Sequence, residues 1–276
     1  MEGMRDLGYV EGKGIVVERR SADGDFTRLP ALAAELAKLR PEVIVAIVSA
    51  AAIAASQATP EIPIVMVAVA DPVASGLVGN LAHPGGNVTG TSGQTNATIG
   101  KQVELVRQMV PAKRVTILWN PANANFQQML LGEGLIAAAR LRILANILQA
   151  GTPGEIDRAF EALKSDPPDA VLVLQDPVFV ANSTQIAQSA LALRLPAFSG
   201  ARSLVQAGIL ASYGSDLTSV ARRAAAYVHR ILKGAKPGDL AIEQPTKFEV
   251  VVNLKTAKAL GITIPPAVLS RAEVIQ

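Results

Sequence analysis

The sequence predicts an α/β protein made of two Rossmann-like lobes with parallel sheets, and three features lead to that class. Two short apolar runs rich in β-branched residues, Val43 to Val48 and Ile62 to Val69, flank an alanine-rich segment, Ser49 to Ala58, long enough for a helix. Such runs read as strands buried on both faces, so the stretch is a βαβ unit. VAVADPV at Val67 to Val73 is echoed by VLVLQDPV at Val171 to Val178, each a buried strand delivering Asp-Pro at its carboxyl end. Between the two halves, Asn80 to Gly93 carries Pro84, Gly85, Gly86, Gly90 and Gly93, too much punctuation for a regular element except a brief strand at Asn87 to Thr91. It reads as a crossing between lobes. No P-loop lysine follows these glycines, so they mark a hinge and not a phosphate cradle.

From the start, Met1 to Leu7 reads as the last turns of a helix stopped at Gly8, and Ile15 to Glu18 as a short strand. Leu29, Leu32, Leu36 and Leu39 recur at helical spacing and are assigned to core packing of a helix that ends before Pro41. In the second half, helix Ile99 to Met109 precedes strand Val115 to Trp119, which ends on Asn120-Pro121-Ala122-Asn123. A helix through Gln127 to Ala139 leads to strand Ile143 to Leu148, and the face Ile156, Ala159, Phe160, Leu163 marks another before strand Ala170 to Leu174. Helix Asn182 to Leu193, strands Pro196 to Phe198 and Ile209 to Tyr213, and helix Leu217 to Leu232 follow. After a connector come strand Phe248 to Asn253, helix Thr256 to Leu260 and a tail from Ile264. Gly132-Glu133-Gly134 imitates part of a dinucleotide fingerprint but lies inside a helical stretch and is set aside.

Composition narrows the function. The 276 residues suit two lobes, and half of them are hydrophobic. The 26 basic against 23 acidic residues form no run, which argues against a nucleic-acid partner. Cysteine is absent, and His83 and His229 have no neighbouring ligand pattern, so neither a metal site nor a thiol nucleophile is expected. No cofactor is expected either. No apolar stretch of about eighteen residues is present to span a membrane, and the start lacks the order of an export signal.

Several phrases in order carry a resemblance: LGYVEGK at Leu7 to Lys13, RLPALAAEL at Arg28 to Leu36, ADPVASGLV at Ala70 to Val78, HPGGNVTG at His83 to Gly90, ASYGSDL at Ala211 to Leu217, RILKGAKPGDL at Arg230 to Leu240, and QPTKFEVVVNLKTAKALGITIPPAVL at Gln244 to Leu269. Together they resemble the ABC-transporter substrate-binding proteins related to bacterial tryptophan- and tyrosine-binding lipoproteins. The resemblance implies a type I periplasmic-binding fold with a three-segment hinge, a first lobe of residues 1–90 plus 213–243, and a second of 91–212 plus 244–276. It implies a non-catalytic protein that captures a small solute, an aromatic or branched amino acid, in the cleft between lobes. An ABC permease and its ATPase are the implied partners, and the implied location is periplasmic or lipid-anchored outside the cell. Family members begin with an export signal and a first strand; this sequence opens on the helix after them, so the first strand is expected to be missing, either by truncation or with another segment or chain filling its place.

Strand ends in such a fold face the ligand, which selects the candidate site residues. Ser49, Ala50 and Ala51 open a helix and can donate to a carboxylate, with an ordinary capping role for the serine as the alternative. Asp71 can accept from an ammonium or cap the next segment. Asn120, Asn123 and Asn125 can hydrogen-bond a ligand or shape the turn before the helix. Asp176, the counterpart of Asp71, is the expected holder of an amino group. Ser199 and Arg202 follow a strand end, Arg202 holding an acidic group or forming an ion pair, and Tyr213 can stack on an aromatic solute or pack at the hinge. The competing functions are the ligand-sensing domain of a regulator, which needs a second module, and an enzyme, a reading opposed by the lack of a nucleophile elbow, P-loop, metal cluster or acid-base histidine pair in the sequence.

Overall fold

The computed structural model describes residues 1–93 and 95–276, the side chains of Thr95, Asn96 and Asn125 excepted. The chain forms two compact units, one of Met1–Gln94 with Asp216–Lys247 and one of Thr95–Ser215 with Phe248–Gln276, so it passes between them three times.

Unit 1 opens with helix α1 (Glu2–Asp6), strands β1 (Val10–Glu11) and β2 (Gly14–Ile15), and helix α2 (Leu29–Lys38). Strand β3 (Ile44–Ile47), helix α3 (Ser49–Ala58), strand β4 (Ile64–Val69) and strand β5 (Val88–Ser92) follow, forming a parallel three-stranded sheet in the order β3-β4-β5. Helix α10 (Leu217–Leu232) returns to this unit after the second passage.

The central strand β4 is buried on both faces because each face has a cover. Ile64 and Met66 pack with Ala52 and Ala55 of α3, whereas Val65 and Val67 pack under Val220, Ala224, Tyr227 and Val228 of α10. At the sheet edge, β3 departs from the expectation of two buried faces. Ile44 and Ala46 are buried, but Val45 and Ile47, which share the α10 face with Val65 and Val67, are 49% and 62% exposed. The reason is that α10 lies over β4 and β5. Gly90 in β5 is glycine for close packing and not for phosphate: a Cβ there would come 2.2 Å from the Met66 carbonyl oxygen.

The expected strand at Ile15 to Glu18 is corrected. Only Gly14 and Ile15 pair, with Val10 and Glu11, and Val16 is 85% exposed. A short strand holds only where a neighbour completes its ladder, and here Arg20 instead pairs with Glu35 of α2 at 3.0 Å. For the same reason the leucine stripe of α2 is only partly core: Leu29, Leu32 and Leu36 are half-buried and Leu39 is exposed.

Unit 2 runs α4 (Thr95–Met109), β6 (Arg114–Trp119), α5 (Ala124–Arg140), β7 (Leu144–Gln149), α6 (Pro153–Ala162), β8 (Ala170–Val173), α7 (Pro177–Ala181), α8 (Ser183–Ala192), β9 (Ala197–Ser199), α9 (Arg202–Ala207) and β10 (Ala211–Ser215). After the third passage come β11 (Phe248–Asn253), α11 (Leu254–Leu260), α12 (Pro266–Leu269) and β12 (Ala272–Ile275). The stretch read as a tail from Ile264 contains α12 and β12, and unit 2 is completed by them. Its seven strands lie in the order β12-β11-β10-β9-β8-β6-β7, with every neighbour parallel except β10 and β11. One face is filled by residues such as Ile99, Val103, Ile117, Leu130 and Leu172, and the other by Leu118, Phe160, Val171, Phe179 and Ile186.

Candidate functional site

In unit 1 the carboxyl ends of β3 and β4 carry the candidate residues. Ser49 to Ala51 form the first turn of α3, whose leading amides lie beyond the reach of intrahelical carbonyls. Ser49 Oγ accepts from the Ala70 amide at 3.2 Å and so ties the two strand ends together. Asp71 Oδ1 accepts from the amides of Val73 and Ala74, at 3.1 and 2.9 Å, and holds its own turn. Two residues here lie in the left-handed region, Val48 (φ 67°) and Ala68 (φ 55°). For a β-branched valine this conformation is costly, and strain of this kind gathers at binding sites.

In unit 2 the ends of β6 and β8 build a buried polar network. The sequence Asn120-Pro121 starts a 3-10 turn, in which Asn120 Oδ1 accepts from the Ala122 amide at 2.9 Å. The Asn120 Nδ2 group then donates to Asp176 Oδ1 at 3.0 Å. Asn123 donates to Asp176 Oδ2 at 2.9 Å, and Gln127 donates to the same oxygen at 3.4 Å. The Val178 amide donates to Oδ1 at 2.9 Å, which makes Asp176 the cap of α7 as well. With Asp176 1% exposed and four neutral donors around it, the carboxylate is fully engaged in fixing the strand ends. In this arrangement Asp176, the expected holder of an amino group, braces the two strand ends.

Gln127, which no strand-end position marks in the sequence, is the second centre of the network. It is buried, accepts from the Asn120 amide at 3.2 Å and donates to the Gln175 carbonyl at 2.9 Å. A glutamine among the apolar positions of a helix was the available signal.

The remaining candidates divide. Ser199 Oγ donates to the Val173 carbonyl at 2.9 Å and accepts from Ala201, a local role. Arg202 pairs with Glu249 at 3.2 Å and with both carboxylate oxygens of Glu273, and that carboxylate is the main reason its pKa is raised. This is the ion pair, one of the two roles expected for Arg202. The Tyr213 ring stacks on Phe248 with centroids 6.1 Å apart, and its carbonyl accepts from Gln102 Nε2 at 3.1 Å. The Asn125 side chain lies outside the described residues. Among the described residues no cluster of His, Asp and Glu is placed to hold a metal, and no helix is long and apolar enough to cross a membrane.

The arrangement offers amide donors and acceptors at parallel-strand ends, suited to holding a small polar solute. Comparison with known proteins agrees in kind. A curated relative, the tyrosine-binding protein of Clostridioides difficile (strain R20291), is 29% identical over 265 residues, covering 95% of this chain and 75% of that protein. A crystal structure of a conserved domain protein from Vibrio cholerae superposes with a TM-score of 0.90 at 32% identity, covering all of this chain and 92% of that one. An ABC domain from Streptococcus pneumoniae in complex with L-Trp gives a TM-score of 0.88 at 28% identity, covering 99% and 93%. The fold is the type I periplasmic-binding fold, two α/β units with mainly parallel sheets. The model of the ABC transporter substrate binding protein family matches residues 1–275, and the chain belongs to that family.

Proposed function

We propose that this protein captures an aromatic amino acid outside the cell and delivers it to the permease of an ABC importer. The observation that carries the reading is the buried Asn120, Asn123, Gln127 and Asp176 network, which fixes two strand ends of unit 2 in one geometry. A binding site benefits from such preorganisation because little side-chain entropy remains to be lost when the solute arrives. The tyrosine and L-tryptophan bound by two relatives supply the solute class. In unit 2, Asn123 is the half-buried member of the network and can turn to a ligand; in unit 1, taken by itself, the leading amides of α3 suit a carboxylate.

A thermal-shift screen against the twenty amino acids and small carboxylates tests the proposal. A solute bound by the folded state alone, at a hundredfold excess over its Kd, stabilises by about 2.7 kcal/mol. For a chain of this size that raises Tm by roughly 5 °C. Tyrosine or tryptophan is expected to give that rise. Silence toward every amino acid at millimolar concentration would remove the reading.

A further inference from the structure

Among the described residues two buried side-chain polar atoms have no hydrogen-bond partner, Gln102 Oε1 and Trp119 Nε1. Both belong to unit 2. Trp119 ends β6, and it packs in the apolar cluster that holds Ile99 and Val103, the residues flanking Gln102 along α4. The cluster also touches Tyr213 and Phe126. An unpaired buried acceptor is costly and calls for an explanation.

The Gln102 amide cannot relieve itself by rotating. Its Nε2 group donates to Thr98 Oγ1 and to the Tyr213 carbonyl, each at 3.1 Å. A carbonyl can only accept, so the NH2 must face Tyr213 and the oxygen must face the other way. The site is also kept clear of bulk. A Cβ at Gly200 would lie 2.6 Å from Gln102 Nε2 and 3.3 Å from Gln175 Oε1, so only glycine lets these two amides converge at the end of β9. Gln175 in turn joins the polar network, since its carbonyl accepts from Gln127.

We propose that Gln102 determines solute specificity, its Oε1 accepting a hydrogen bond from a neutral O–H or N–H at the far end of an aromatic side chain. The inference rests on the aromatic amino-acid reading above and names the group that reads the ring. A neutral donor fits better than an ammonium, because the amide is 1% exposed and its partners Thr98 and Tyr213 are uncharged. A cation there would be buried without a counter-charge. Asp176, next in sequence to Gln175, already accepts four hydrogen bonds. Phenol and indole each end in such a donor, and a phenyl ring does not. A buried polar group left unpaired rejects a ligand that lacks the matching group more strongly than a missing methylene in an apolar pocket does.

Titration calorimetry on the full chain decides the matter. L-Tyrosine or L-tryptophan is expected to bind at least about tenfold more tightly than L-phenylalanine, O-methyl-L-tyrosine and 1-methyl-L-tryptophan. Phenylalanine separates loss of the donor from added bulk. In Gln102→Met, of similar length but without the acceptor, the gap is expected to shrink to about threefold or less. If phenylalanine binds the natural protein as tightly as tyrosine, Gln102 serves an internal water and the assignment falls while the amino-acid reading stands. A gap that persists in a folded Gln102→Met overturns it too. Should that variant not fold, the comparison of ligands on the natural protein decides alone, and absence of binding by any amino acid sinks both readings.

Discussion

Asp176 shows how one side chain can fix a surface it does not present. Replacing it with alanine leaves donors of Asn120, Asn123, Gln127 and Val178 without their acceptor, two of those side chains being fully buried. Breaking such a network is expected to cost about 3 kcal/mol, visible as a lower urea midpoint with unchanged slope. Asparagine is no substitute, because its NH2 would face other N–H donors. A midpoint within experimental error of the natural protein would mean that the network has no structural weight. At this scale the sequence revealed chemistry better than roles. Asn120, Asn123 and Asp176 were recognisable from their strand-end positions, yet nothing in a linear chain tells whether a carboxylate meets a solute or its own neighbours. Gln102 and Gln127 were hidden for a related reason, as single amides on helix faces whose partners are 111 and 48 residues away.

Among the elements, β3 and β4 contrast two kinds of apolar strand. Ile64→Ala in β4 removes a wholly buried side chain and is expected to cost about 3 kcal/mol, whereas Ile47→Thr in β3 changes a residue that is 62% exposed and should cost under about 1 kcal/mol. Parallel denaturation curves measure the difference, and equal losses would place a cover over β3. The runs Val43 to Val48 and Ile62 to Val69 look alike as sequence, since burial depends on which helix lies above, and α10 begins only at Leu217. Strand β12 is hard to read in the sequence because its four residues are half-buried or partly exposed and lack an alternating pattern. A third element-scale effect lies before β8. Asp169 accepts from the amides of Arg114 and Lys113 at 2.8 and 2.7 Å, and these bonds hold its pKa below the usual aspartate value. A pKa lowered by folding gives stability that is complete above the unfolded value of about 3.9 and is lost as pH falls through the folded one. Asp169→Ala should therefore lower stability at pH 7 by about 1 kcal/mol or less, the group being largely exposed, and the gap to the natural protein should close in acid below about pH 4. A gap unchanged at low pH would assign it to packing.

For the whole molecule, the repeating βα pattern and the echo of Asp-Pro at two strand ends made the class readable, and the ordered phrases made the family so. The three passages at residues 94–95, 215–216 and 247–248 mean that neither unit is one continuous stretch. Unit 2 waits for β11, which pairs antiparallel with β10 from Ala211↔Val252 to Ser215↔Phe248, and for β12 beyond it. On a ribosome, the five strands from β6 to β10 therefore emerge with β10 lacking its antiparallel partner until β11, more than thirty residues later, is made. The nascent chain must spend that interval guarded against pairing with its neighbours.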